Sequence, residues 1–469
     1  MSVHSRRTQP RGAPMPHPAV VTIETSGLGD RSYLAHDGEV ALVVDPQRDI
    51  DRVLELAAEH GVRITHVFET HIHNDYVSGG LALARETGAA YHVNADDDVD
   101  FDRVGVRDGD RVRVSEAMGV RVVATPGHTH THLSFVLEGP DGVSGAFTGG
   151  SLLIGATGRP DLLGPDHTQQ LVRDQWSSAR RLADALPDET PVLPTHGFGS
   201  FCSANPSDAD SSTIGREKQV NPVLLKQQED YVAELLAGLE AYPAYYAHMG
   251  PANAAGPGAP DLSAPAAADV AAIRRAIDAG EWVVDLRTRS AFAAGHVPGT
   301  LNFGTDGPFV TYLGWLIPWG TPLTLLGESA EQVAEAQREL VRIGIDRPAA
   351  YATGGPEEWT DGDLASFERS DFAGLAAALR AGEDLVVLDV RRAKEHAGDH
   401  IEGSLNVPIH HVLAHLDDIP RERLWVHCAG GYRASVVAGI LAAHGHDVVA
   451  VDDPYTSVAD TDLPTRSAA

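Results

Sequence analysis

The second half of this chain repeats itself, and that repeat limits the fold more than any other feature. The segment WVVDLRTRSAFAAGHVPGTLNF, beginning at Trp282, matches LVVLDVRRAKEHAGDHIEGSLNVP, beginning at Leu385. Asp285 aligns with Asp389, Arg287 with Arg391, His296 with His400, Gly299 with Gly403 and Asn302 with Asn406, always 104 positions apart. Five chemically distinct residues in one register mark two copies of one domain. Each copy opens on a short apolar run bounded by turn residues, then a helical pattern and a second short strand, which predicts a small parallel α/β sheet. The stretch 249–267 (MGPANAAGPGAPDLSAPAA) is dominated by Ala, Gly and Pro, lacks a hydrophobic period and reads as a linker. The copies then occupy 268–365 and 366–469, with a separate domain expected over 19–248 and a disordered tail over 1–18.

Only the second copy carries reactive chemistry. It continues LWVHCAGGYRASVVAGILAAHG: a buried strand, a loop from Cys428 through Ala429, Gly430, Gly431 and Tyr432 to Arg433, and a helix starting near Ala434. Such a loop turns successive backbone N–H groups inward, and the helix N-terminus adds positive potential, so both favour a thiolate over a thiol. Cys428 and Cys202 are the two cysteines of the chain, too few for a disulfide framework and consistent with a reducing compartment. In the first copy the equivalent strand (PLTLL) runs into Gly327-Glu328-Ser329, without cysteine, Gly-rich loop or arginine. That copy is expected to be inactive and structural or docking in role.

Over roughly 268–469 the repeat resembles the rhodanese family of sulfurtransferases, with CAGGYRAS as the active loop. The resemblance implies that Cys428 accepts a sulfane sulfur as a persulfide, while the loop amides and Arg433 stabilise its charge. Cysteine phosphatases are the rival, with one more residue between Cys and Arg; the shorter ring here suits a sulfur atom better than a tetrahedral phosphate.

The first half is rich in histidine. Hairpins are expected about Asp37-Gly38 and Asp108-Gly109, strands near 64–69, 120–124 and 146–149, and helices over 50–60, 79–87 and 166–185. Histidines at strand ends in such a mixture indicate an α/β sandwich bearing a metal centre. The turns come in the order His71-Ile-His73-Asn-Asp75, then ATPGHTHTH with His128, then FTGGSLLIGATGRPDLLG with Arg159 and Asp161, then PTHGFGSFC with His196. This order resembles the metallo-β-lactamase fold, an αββα sandwich, and within it the persulfide dioxygenase branch, whose multidomain members carry two rhodanese-like repeats.

That resemblance implies one Fe(II) per chain, held by His71, His128 and an aspartate at position 150, with His73, Asp75 and His196 nearby and Arg159 and Asp161 in a substrate loop. Position 150 is Gly. With the carboxylate gone, His73 or Asp75 is the expected substitute and Asp161 a more distant one, and Gly150→Asp is expected to raise iron occupancy. Tyr76 stands where binuclear members place a histidine for a second metal, so at most one ion is expected. His92, His248 and His415 read as surface or packing residues, and Cys202 as a small polar-apolar filler, with a second sulfur carrier as its alternative.

A net charge of −30 argues against nucleic acid or an anionic membrane as partner. No apolar run reaches the roughly 18 residues needed to span a bilayer. Arg6-Arg7 is followed by prolines rather than by the apolar segment of an export signal. The expected protein is cytoplasmic and homo-oligomeric, oxidises a low-molecular-weight persulfide at one metal, and exchanges sulfane sulfur with thiosulfate or sulfite through Cys428. A zinc-dependent thioester or lactone hydrolase and a non-catalytic sulfur relay are the alternatives.

Overall fold

The computed structural model describes residues 17–204 and 209–467, so most of the expected tail 1–18 lies outside the described residues. The chain forms two compact units, one running to Leu239 and adding Tyr246–Ala259, the other made of Glu240–Tyr245 and the chain from Pro260.

In the first unit, strands Ala19–Thr25, Asp30–His36, Val40–Val44, Arg63–Phe68, Ala90–Asn94 and Val104–Val106 lie side by side in chain order. The next six, from Arg111–Arg113 through Gly119–Ala124, Leu133–Gly139, Gly142–Gly149 and Pro191–Pro194 to Ser212–Thr213, form a second sheet. Tyr33, Phe68, Phe135 and Phe147 fill the space between the sheets. Helices Asp51–His60 and Gly80–Thr87 cover the first sheet through Val53, Ala57, Leu81 and Leu83. Helix Pro165–Asp184 covers the second through Val172, Ala179 and Leu182. The result is the αββα sandwich, and residues 41–44 and 67–68 are buried because helices and the opposite sheet cover both faces of their strands.

The hairpin about Asp37-Gly38 forms as the sequence indicates, between Asp30–His36 and Val40–Val44. The one about Asp108-Gly109 does not. Val104–Val106 pairs with Ala90–Asn94, whereas Arg111–Arg113 pairs with Gly119–Ala124, so that turn carries the chain from one sheet to the other. Part of the stretch 249–267 is also more than a connection: helix Tyr246–Ala255 belongs to the first unit. Its buried residues are Tyr246, Met249 and Asn253, so a polar side chain shares the anchoring face. Buried Asn253 donates to the carbonyls of His73 and Tyr76, both at 2.8 Å, and accepts the Ser78 N–H at 2.8 Å.

The second unit contains two five-stranded parallel sheets of the same topology, one centred on Trp282–Asp285 and Leu323–Gly327, the other on Leu385–Asp389 and Arg423–His427. The residues that reveal the repeat are structural. Asp285 binds Arg287 (Nη2 to Oδ2 2.6 Å), and Asn302 Nδ2 spans the carbonyls of Asp285 and Arg287 at 3.0 and 2.9 Å. Asp389, Arg391 and Asn406 reproduce this arrangement at 2.7, 2.9 and 3.0 Å. Buried ion pairs and bridged carbonyls fix the turn after the first strand in both copies.

Candidate metal centre and thiol loop

All the histidine turns of the first unit sit at C-terminal strand ends. Glu69–Asp75 follows Arg63–Phe68, His128 follows Gly119–Ala124, and His196 follows Pro191–Pro194. Ligand nitrogens of His71, His128 and His196 lie within 4.8 Å of one another, and all three side chains are buried. In each ring Nδ1 is already engaged. Thr70 donates its hydroxyl to Asp45 (2.7 Å), so its oxygen accepts from His71 Nδ1 at 2.9 Å. His128 Nδ1 donates to the Arg159 carbonyl at 2.8 Å, and His196 Nδ1 to Asp30 Oδ1 at 3.0 Å, with Asp75 Oδ2 at 3.1 Å. Outer partners of this kind fix the tautomer and aim Nε2 at a shared point.

The donor set therefore fits a metal ion. His128 Nε2 is buried with no hydrogen-bond partner, and the Nε2 atoms of His71 and His196 stand 3.3 Å apart. Two ring nitrogens that close, with both Nδ1 atoms occupied, need a positive charge there: a metal ion between them, or without one a proton on His196 donated to His71 Nε2. Burial holds the His128 ring neutral, down to about 3. Burial also opposes charge on His196, but Asp75 and Asp30 outweigh it and push the ring up to about 10.

His73 turns away from this point. Its Nε2 meets Tyr76 Oη at 3.0 Å, Glu69 Oε2 at 3.2 Å and Asp45 Oδ1 at 3.4 Å. Burial disfavours its charge, yet Asp45 and Glu69 win and raise it to about 9. The Tyr76 hydroxyl is also 3.3 Å from the Asp45 carbonyl, and Asp45, Glu69 and His73 bring their ligand atoms together in a further grouping. Asp45 holds this network from a left-handed backbone, φ 51°, a strain that the contacts of Thr70, Thr195 and Ser32 sustain. Asp75 joins His73 and His196 in a second grouping of ligand atoms.

The expected remedy for Gly150 meets an obstacle. Its backbone is not left-handed, but a Cβ there would lie 2.3 Å from Cδ2 and 2.6 Å from Cγ of His128. The His128 ring lies over the position from which a carboxylate would reach. Gly150 N–H donates to His132 Nε2 at 2.9 Å, and His132 Nδ1 meets Thr125 Oγ1 at 2.8 Å. Asp161 is no substitute ligand either, because both its oxygens accept from Arg159 at 2.7 Å. Cys202 is fully buried, and burial with the nearby charges of Asp75 and Asp30 pushes its thiol far up. His92 packs as expected, stacked on Phe68 with ring centroids 4.4 Å apart.

Asp30, Asp45, Glu69, His132 and Asn253 escaped the sequence reading. Asp45 carried a signal: it ends the apolar strand VALVV, as Asp285 and Asp389 end theirs.

In the second unit Cys428 directly follows the strand Arg423–His427 and is 2 % exposed. Gly431, at φ +89°, donates its N–H to Cys428 Sγ at 3.1 Å and precedes helix Tyr432–Ala443. Arg433 makes a two-pronged pair with Glu395, Nη1 to Oε2 2.7 Å and Nη2 to Oε1 2.8 Å. Gly430 has open space beside it. In the first copy Gln332 fills the corresponding loop: its Oε1 accepts the Glu328 N–H at 2.8 Å and its Nε2 donates to Leu286 O at 3.0 Å and Thr305 Oγ1 at 3.2 Å. A side-chain amide thus occupies the place where the second copy turns N–H groups toward sulfur.

Residues 28–196 match the model of the metallo-β-lactamase superfamily, and 269–361 and 373–460 that of the rhodanese-like domain. A hydroxyacylglutathione hydrolase of Cereibacter sphaeroides is 31 % identical over 220 residues, which are 43 % of this chain and 80 % of the relative. The chain belongs to the metallo-β-lactamase superfamily. Its superfamily unit is also 28 % identical over 207 residues to the mitochondrial persulfide dioxygenase ETHE1 of Homo sapiens, covering 44 % of this chain and 72 % of that one. A crystal structure of a metallo-β-lactamase from Staphylococcus aureus covers 72 % of this chain and 99 % of its own, with TM-score 0.65 and 28 % identity. Fusion to a rhodanese-like pair marks this member as a sulfur-related protein with a candidate His/Asp metal site. Among the described residues no helix is long and apolar enough to cross a membrane.

Proposed function

We propose that this protein oxidises a low-molecular-weight persulfide at a single metal ion in the first unit and exchanges sulfane sulfur through Cys428 in the second. The observation that carries the reading is one chain holding both a three-histidine centre and a cysteine loop with an amide on its sulfur. His71, His128 and His196 would hold the ion, and Asp30, Thr70 and the Arg159 carbonyl would orient them. Iron bound there would supply the redox chemistry that brings dioxygen to sulfur. The overall conversion balances as RSSH + O2 + H2O giving RSH, sulfite and two protons. Glu69 is suited to hold such a proton: burial pushes it up to about 7 despite His73.

At the second centre the Cys428 thiolate attacks the outer sulfur of thiosulfate. A new S–S bond forms, the old one breaks, and sulfite leaves with the electron pair. Attack of sulfite on the resulting persulfide runs the same step backward. The Gly431 N–H supports the sulfur's negative charge in both directions.

A second reading, thioester hydrolysis at zinc, is favoured by a specific observation: three imidazoles without a carboxylate are a catalytic zinc donor set. Oxygen uptake with glutathione persulfide, measured against thioester cleavage on the same preparation, separates the two. Persulfide-dependent uptake supports the first reading, and thioester cleavage without uptake overturns it.

A further inference from the structure

The cysteine-less repeat reaches the active loop of its twin. Gly431 has no Cβ, and one placed there would lie 2.2 Å from Asp452 Oδ1, so the Asp452 carboxylate packs directly against the residue whose N–H holds Cys428 Sγ. A carboxylate in that position opposes negative charge on the sulfur unless cations neutralise it. Two guanidiniums do. Arg369 binds Oδ2, and Arg289, from the first repeat, donates Nε to Oδ1 at 2.8 Å. Arg289 also contacts Asp306 of its own repeat at 3.3 Å. Next to it, Tyr432 of the loop donates its hydroxyl to the Gly304 carbonyl at 3.0 Å, and its ring occupies the space beside Gly307. Arg289 is in addition close enough to Cys428 for a charge on that sulfur to stabilise its own cation.

We infer that Arg289 is a positioning residue for Cys428: acting through Asp452, it fixes the Gly431 N–H on the sulfur and cancels the carboxylate's charge behind the loop. This gives the inactive repeat a chemical task in its twin's site. The inference rests on Cys428 being the reacting group of sulfur transfer, and its test reads the thiol itself rather than transfer alone.

The pH dependence of Cys428 alkylation by iodoacetamide is measured in the full-length chain carrying Cys202→Ser, so that one thiol reports. Arg289→Ala is expected to move the alkylation profile to higher pH and to slow alkylation at neutral pH about tenfold, the consequence of one unit. Thiosulfate:cyanide transfer should fall in kcat by a similar factor. Arg289→Lys should recover most of both. Adding Asp452→Asn to Arg289→Ala should move the profile back, because the carboxylate that Arg369 alone then neutralises is gone, whereas a purely structural role would leave the double variant as impaired as the single. An unchanged profile in Arg289→Ala, or no recovery in the double variant, overturns the inference. Absence of transfer in the parent, with the profile shifting as described, would count against the sulfur-transfer reading and not against the role of Arg289.

Discussion

Gly150→Asp is the substitution on which sequence and structure disagree, and its outcome can be worked from the site. An aspartate would supply a carboxylate, but its Cβ would stand 2.3 Å from His128 Cδ2, far inside van der Waals contact. That contact is relieved only by turning the His128 ring, which would break its Nδ1 bond to the Arg159 carbonyl at 2.8 Å and withdraw Nε2 from His71 and His196. Forcing atoms into a packed site costs about 1–3 kcal/mol. If that cost falls on the bound geometry, metal affinity drops about 5- to 150-fold at roughly 1.4 kcal/mol per tenfold. Gly150→Ala, which adds the clash without the carboxylate, should lose affinity at least as much. Metal per chain, measured on the three proteins purified side by side, and retention against a graded chelator provide the assay. Higher occupancy in Gly150→Asp than in the parent would show that His128 yields and that the new carboxylate enters the site, refuting this reasoning.

Other outcomes are equally specific. Cys428→Ser should abolish thiosulfate:cyanide transfer while Cys202→Ser keeps most of it, since the Cys202 thiol is buried and held protonated; retained transfer in the Cys428 variant would refute the assignment. The same protein should show no measurable aryl phosphate hydrolysis where sulfur transfer is brisk, the loop being one residue short for phosphate. Asp30→Asn should weaken metal retention by roughly 10- to 100-fold by loosening His196 Nδ1, read by the same chelator titration. Burial opposes ionisation of Glu395, but Arg433 and Arg392 lower it from 4.5 to about 2. A lowered carboxylate stabilises the fold above its unfolded value and loses that contribution as pH falls through its folded one. Acid unfolding of the parent and of Glu395→Gln should therefore differ most above pH 4.5 and converge as pH approaches 2, and a constant difference would contradict the pairing.

How far the sequence could be read follows from what kind of residue carried each feature. Periodicity located helices Asp51–His60, Gly80–Thr87 and Pro165–Asp184 because apolar stripes produce them. The Asp108-Gly109 turn misled because turn chemistry is local, while the sheet a strand joins is decided by distant partners. Helix Tyr246–Ala255 was hidden because its buried stripe of Tyr246, Met249 and Asn253 is short and partly polar, and Pro251 lies inside it. In the site, the family resemblance pointed to His71 and His128 with His73 or Asp75 as the expected third ligand; it did not reveal that His196 completes the grouping, nor that His73 turns toward Asp45 and Glu69, carboxylates at the ends of two different strands. Nor could sequence reveal that the His128 ring lies over Gly150.

The most direct test of the central claim is metal content and oxygen uptake measured together on protein purified without oxygen. At most one iron per chain, with oxygen consumed in proportion to iron when glutathione persulfide is added and sulfite appearing as product, is the expected result. Two tightly bound zinc ions per chain, with thioester cleavage and no oxygen consumed, would contradict it.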